Sequence, residues 1–196
     1  MTKVSIEALV AGAKSGSVVS FPTDTVPALA ALPEKSGLIF AAKQRSQDKP
    51  LILMAANPEE LWPFCQGSES EKLIWQQVAQ KYWPGALTLV LPASSRLPPQ
   101  VNPNDPGTIG VRVPDSAIAR KILSQTGPLA TTSANLSGQP PLRTMAEIDD
   151  QFPSVLTLEL SETELTKESG VPSTVAKWTL KGWEILRQGV IEMANG

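Results

Sequence analysis

The sequence contains no histidine, a single cysteine and a single tyrosine. Without histidine there is no Ser-His-Asp or Cys-His catalysis and no Cys/His zinc site, and the lone Cys65 excludes a disulfide framework. Charge is sparse as well: 18% of residues are charged, the net charge is −2 and the pI is near 5.3. The chain is therefore not a general polyanion binder, and contact with nucleic acid would need a local basic patch. No run of about 18 apolar residues occurs, and "MTKVSIEALVAGAKSG" reads as an amphipathic helix rather than a signal peptide. A cytoplasmic protein without membrane contact is expected.

What is present suits a packed core. Hydrophobic residues make up 41% of the 196 residues, and no repeat or compositional boundary divides them, so a single domain over 1–196 is expected. Ile6, Leu9 and Val10 share a helical face that Gly12 or Gly16 can end. Further helices are expected over Glu34–Arg45, with Leu38, Ile39 and Ala42 inward, and from Pro58 behind an Asn57 cap. Others are expected over Glu69–Tyr82, from an Asp115 cap to about Ser124, and over Thr144–Phe152. Strands are expected at Val18–Phe21, Leu51–Ala55, "ALTLVLPA", "TIGVRVP", "VLTLEL", "STVAKW" and "WEILRQ", and "PLATTSANLSG" reads as a strand opening into a polar loop. "SSRLPPQVNPNDPG" reads as a surface loop. Strands alternating with helices predict an α/β domain with a mixed sheet.

Four polar stretches lie at or beside strand ends: "PTDT" (22–25), "KQRSQDK" (43–49), "TSANLSG" (132–138) and "PST" (172–174). Ligands collect where strands of open α/β sheets give way to loops. Lys43 and Arg45 either offset the dipole of the helix they end or, with Lys49, hold phosphates; residues two apart share no helix face, so the second reading needs the helix to end near Lys43. "TSANLSG" is either a cap and turn or a loop whose N–H groups and hydroxyls hold phosphate oxygens, with no Walker or Rossmann glycine pattern. Arg112 sits on an apolar strand and calls for a carboxylate, an internal Asp or Glu or a ligand. Arg187 poses the same question. Trp62, Trp75 and Trp83 fall on apolar faces and read as core. The residues thus point to a hydroxyl-rich cationic pocket for a small anion such as a nucleotide, with chemistry resting on positioning and charge stabilisation.

Taken together, "PTDTVPA" (22–28), "KQR" (43–45), "WPGALTLVLPA", "TIGVRVPD", "SANLSGQPP", "VPSTV" and "ILRQG" resemble, in order, the motifs of the YrdC/Sua5 family, the threonylcarbamoyl-AMP synthases, in their short single-domain form. The resemblance implies a twisted open α/β mixed sheet with flanking helices around a concave, positively charged cavity. It implies a nucleotidyltransferase that converts L-threonine, bicarbonate and ATP, with Mg²⁺, to threonylcarbamoyl-AMP and pyrophosphate. The threonylcarbamoyl group then goes to adenosine 37 of tRNA, directly or through a partner complex. Lys43, Arg45, Lys49, Thr108, Ser133, Asn135 and Arg187 would bind ATP, with Lys43 and Arg45 stabilising the departing pyrophosphate. Thr25, Arg112, Thr131 and Ser173 would bind threonine. No protein metal ligand is implied, and a monomer is expected. Here Pro27-Ala28 stands where the family has Tyr-Gly, and Ser46 where it has Pro. Two other readings fit the same resemblance: an RNA-binding or ribosome-associated paralogue, against which the acidic pI counts, and a carbamoyl-transfer module of much longer hydrogenase-maturation chains.

Overall fold

Period-two alternation builds the sheet and decides what each of its faces can do. A computed structural model describes residues 2–44, 46–160 and 169–193, so Arg45 lies outside the described residues. In β5 (Leu87–Pro92), Leu87, Leu89 and Leu91 enter one core while Thr88 and Val90 point the other way. β6 (Thr108–Arg112) splits likewise, with Ile109 and Val111 in that core and Thr108, Gly110 and Arg112 opposite. In β9 (Thr174–Thr179), Ala176 is inward and Val175 and Lys177 are on the far face.

The other strands are β1 (Lys3–Val4), β2 (Val19–Phe21), β3 (Ala28–Ala31), β4 (Ile52–Met54), β7 (Leu129–Ser133), β8 (Leu156–Leu158) and β10 (Gly182–Arg187). Among the described residues they form one ten-stranded mixed sheet in the order β1-β8-β2-β3-β7-β4-β6-β5-β9-β10. Parallel pairs (β1/β8, β2/β8, β4/β6, β5/β9) are mixed with antiparallel ones such as β3/β7 and β5/β6. The expected fold class, a mixed open α/β sheet with flanking helices, is the one observed.

Each face has its own core. On one, α2 (Gly37–Lys43), α3 (Glu69–Tyr82) and α5 (Met145–Gln151) contribute Ile39, Phe40, Trp75, Ala79 and Ile148. On the other, α1 (Ile6–Lys14) and α4 (Ala117–Thr126) bury Leu9, Val10, Ala13, Ala119, Ile122 and Leu123 against Val19, Phe21, Leu129 and Leu158. These two helices pack on the β8-β2-β3-β7 part of their face and their core reaches Met54 of β4. From the Thr131–Ser133 end of β7 across β4, β6, β5 and β9 the same face lines a cavity instead. No described helix is long and apolar enough to cross a membrane.

Caps fix the helix starts. Ser68 with Glu71 and Thr144 with Glu147 form reciprocal capping boxes, each satisfying backbone donors that helix geometry leaves open. α4 is capped by the hydroxyl of Ser116, not by Asp115, because Ser116 is the residue whose oxygen reaches the Ala119 N–H. α1 ends at Gly16 (φ +90°), while Gly12 stays inside the helix where it packs on Leu156.

Two expectations give way to tertiary contacts. The segment 34–45 is a 3₁₀ turn, Pro33–Lys35, followed by α2, with the break at Ser36–Gly37. The rotation this imposes turns Ile39, Phe40 and Lys43 inward and leaves Leu38 46% exposed. Beyond Asn57 the chain forms two 3₁₀ turns, Pro58–Glu60 and Trp62–Phe64, because Pro63 interrupts any longer helix. Trp75 and Trp83 are buried, and Trp62 stacks on Trp83 with centroids 5.8 Å apart. β1 and β3 were not foreseen. The run Ala28–Ala31 has low strand propensity and no polar alternation, since both its faces are buried.

Candidate functional site

The cavity has a volume of about 660 Å³, and none of its lining residues belongs to an α-helix. Its floor is the uncovered half-face: Thr88 and Val90, Thr108, Gly110 and Arg112, Ile52 and Met54, and Thr131 and Ser133. Its walls are the loop after β2, the segment before β4 with Asp48 and Lys49, the segment before β6 with Asn102, Asn104 and Asp105, and the β9–β10 ribbon. Gly110 keeps the floor low: a Cβ there would stand 2.7 Å from Ile52 Cγ2 and 3.3 Å from Thr88 Cγ2.

Arg112 is 2% exposed and its demand for a carboxylate is met by Asp24, whose Oδ1 accepts from Nη2 at 2.5 Å. Nη1 donates to Thr25 Oγ1 at 2.9 Å and Nε to the Gly85 carbonyl at 3.0 Å. Burial pushes the guanidinium pKa down, Asp24 acts against that shift, and the nearby charge of Arg187 adds to it. Thr25 is held in turn by Thr23, whose Oγ1 lies 3.1 Å from the Thr25 hydroxyl.

Arg187 reaches the cavity through a backbone irregularity. β9 and β10 pair Ala176 with Ile185 but Val175 with Arg187, so Leu186 is an extra residue, a β-bulge. Strict alternation would place Arg187 on the core face with Ile185. The bulge turns both Leu186 and Arg187 to the cavity. There Nε and Nη2 of Arg187 donate to the carbonyl and hydroxyl of Ser173 at 3.0 and 3.3 Å, and burial lowers its pKa. Ser173 Oγ also lies 2.8 Å from Thr88 Oγ1. Across the cavity Thr108 Oγ1 donates to Asp105 at 2.9 Å.

Thr25, Lys49, Thr108, Arg112, Thr131, Ser133, Ser173 and Arg187 thus meet at one cavity. Lys43 and Asn135 lie behind its wall. α2 ends at Lys43, with Gln44 in the left-handed region (φ 48°). The wholly buried Lys43 ammonium donates to the carbonyls of Ser133 and Asn135 and, at 3.3 Å, to Asn135 Oδ1. Ser133 Oγ donates to the same Oδ1 at 2.6 Å, and the Asn135 amide to the Leu136 and Gln139 carbonyls, so the loop after β7 is held as a unit. Lys177, Thr88, Asn102 and Asp105 escaped the sequence reading; for Lys177 the spacing Ser173, Val175, Lys177 along one strand face was the available signal.

An open mixed sheet with flanking helices, part of one face lining a cavity, defines the chain as an open-sheet α/β protein. The family model described as "Telomere recombination" (Sua5_yciO_yrdC) matches residues 12–189, and the chain belongs to that Sua5/YciO/YrdC family. It is 36% identical over 159 residues to the threonylcarbamoyl-AMP synthase of Vibrio vulnificus, covering 79% of this chain and 84% of the relative. Among solved structures, Pyrococcus abyssi Sua5 complexed with L-threonine superposes with a TM-score of 0.80 at 33% identity. That match spans 94% of this chain but only 54% of the Pyrococcus protein. Escherichia coli YciO, at 24% identity and a TM-score of 0.79, shares the fold.

Proposed function

We propose that this chain is a threonylcarbamoyl-AMP synthase, an enzyme of the nucleotidyltransferase class. The observation that carries the reading is the convergence of Arg112, Thr25, Ser173 and Thr131 with Thr108, Ser133, Lys49 and Arg187 on one bare half-face of the sheet. The name of the Vibrio relative and the L-threonine complexed with Pyrococcus Sua5 support the substrate.

The reading gives each residue a role. Three of the five Arg112 N–H donors are engaged by Gly85, Thr25 and Asp24, which leaves two for the threonine carboxylate beside Thr25. Thr131 and Ser173 flank that end, and Thr108, Ser133, Lys49 and Arg187 receive ATP. Lys43 acts on the nucleotide through the Ser133–Asn135 loop whose carbonyls it holds; direct phosphate contact requires its ammonium to leave them. Arg45 keeps its expected phosphate role. The threonine nitrogen attacks the bicarbonate carbon, giving a carbamate and water. A carbamate oxygen then bonds to the α-phosphorus as the bond to pyrophosphate breaks. With no histidine, catalysis rests on orientation and on cations facing the developing charge.

Among the described residues no group of three or more carboxylate, cysteine or histidine ligands could cage a metal, while Asp48 and Asp105 each bring one carboxylate to the cavity. That fits Mg²⁺ entering on the triphosphate, where it would neutralise phosphate charge beside those residues. The product would pass its threonylcarbamoyl group to tRNA, directly or through a partner.

The test is pyrophosphate release from ATP with each co-substrate omitted in turn. Release that requires both L-threonine and bicarbonate is expected. Release independent of both, or none at all with ATP bound, would overturn the assignment.

A further inference from the structure

β9 and Ser173 just before it contribute three side chains to the cavity. Ser173, Val175 and Lys177 share its open face, and Lys177 is partly exposed there. The Lys177 side chain makes no hydrogen bond or ion pair to any described residue. Glu184 is its register partner on β10, yet it forms no ion pair with Lys177 and does not line the cavity.

The register places Lys177 in one row with Val90, Gly110, Ile52 and Thr131 across β9, β5, β6, β4 and β7. Two strand spacings, about 10 Å, separate it from Gly110, whose missing side chain keeps that space open. Along β6, Arg112 stands two residues to one side of the row and Thr108 two residues to the other. Lys177 therefore faces the midline between the end that carries Arg112 and Thr25 and the end that carries Thr108 and Asn102.

We propose that Lys177 is a substrate-contacting cation of this cavity that binds the α-phosphate of the nucleotide above Gly110, where the nucleotide and amino-acid ends meet. The identity of the ligand rests on the synthase reading; the placement of the cation does not. A lysine ammonium suits the position as a compact, mobile point charge that can follow a phosphoryl oxygen as its charge grows. The other cation on that side of the cavity, Arg187, stands level with Val175 and is tied to Ser173, off the row that holds Lys177 and Gly110.

The experiment is calorimetric titration of AMP and of L-threonine into wild type, Lys177→Met, Lys177→Arg and Glu184→Gln, with thermal melts of each. Lys177→Gln replaces the Met variant if that one fails to fold. The proposal expects AMP affinity to fall about 10- to 100-fold in Lys177→Met. It expects Lys177→Arg to recover most of that loss, and threonine affinity to stay within about twofold of wild type. Unchanged AMP affinity, with Lys177→Met and Glu184→Gln melting earlier by similar amounts, would overturn it and make Lys177 half of a cross-strand pair. Wild type that binds neither AMP nor L-threonine would refute the synthase reading. Inorganic pyrophosphate then tests the cation alone: binding lost in Lys177→Met keeps the anion site, and no difference removes it.

Discussion

Replacing Asp24 by Asn should weaken the protein by removing charge while nearly conserving shape. Asp24 holds Arg112 at 2.5 Å, and the pair is buried on the arginine side and 13% exposed on the aspartate side. Deleting one member of a buried pair costs about 3–5 kcal/mol, because a desolvated charge is stranded. Two features reduce that here. Water reaches Asp24, and the Asn carbonyl can still accept from Nη2, a bond worth about 1 kcal/mol. A loss of about 2–3 kcal/mol remains, and in a chain of this size it lowers Tm by about 4–12 °C. Urea unfolding followed by tryptophan fluorescence measures it, with an unchanged m-value showing that both states are otherwise intact. Arg112→Met completes a double-mutant cycle, and the pair should show a coupling of about 2 kcal/mol. A loss in Asp24→Asn below about 0.5 kcal/mol, the range of ordinary surface substitutions, would refute the claim that Asp24 is the counter-charge of Arg112.

Other consequences can be read as directly. Gly110→Val places branched carbon against Ile52 and over the cavity floor; it should cost about 1–3 kcal/mol in urea unfolding and depress pyrophosphate release far more than stability alone explains. Lys43→Met leaves the Ser133 and Asn135 carbonyls without their ammonium donor, so a loss of about 1–3 kcal/mol is expected together with a raised KM for ATP. The Glu71 pKa is held below the ordinary glutamate value of 4.5 chiefly by the Trp178 indole N–H, and that of Glu147 chiefly by the Arg143 backbone N–H. Both unfolded pKa values are the higher ones, so these carboxylates stabilise the fold above about pH 4.5 and that contribution is lost as pH falls through the folded values. Thermal melts from pH 6 down to pH 3 should show a shallower decline in Glu147→Gln than in wild type.

The strands that build the cavity floor were readable because their chemistry alternates. In "ALTLVLP" and "TIGVR" every second residue is a core aliphatic, and the residues between are Thr88, Val90, Thr108, Gly110 and Arg112. The demand of Arg112 for a carboxylate was equally readable, because a cation on an apolar strand has no other affordable environment; its partner Asp24 was not, since the choice depends on how the loop after β2 folds over β6. Lys43 shows the opposite limit. Its place behind the cavity follows from the break at Ser36–Gly37 and from the carbonyls of a loop some ninety residues away, neither of which local spacing encodes. The inward turn of Arg187 depends on a bulge, and a single inserted residue leaves almost no trace in a sequence. Ala28–Ala31 hid as a strand because its pairing with β2 and β7, not its own propensity, makes it one.

The most direct test of the account is to follow the carbon. Purified protein is incubated with ATP, L-threonine and ¹³C-bicarbonate, and the nucleotide products are resolved by mass spectrometry, beside an Arg112→Met control. The account predicts a threonylcarbamoyl-AMP peak carrying one heavy carbon, matched by pyrophosphate and lost in the control. Pyrophosphate without the labelled adduct, or a labelled adduct that survives in Arg112→Met, would contradict it.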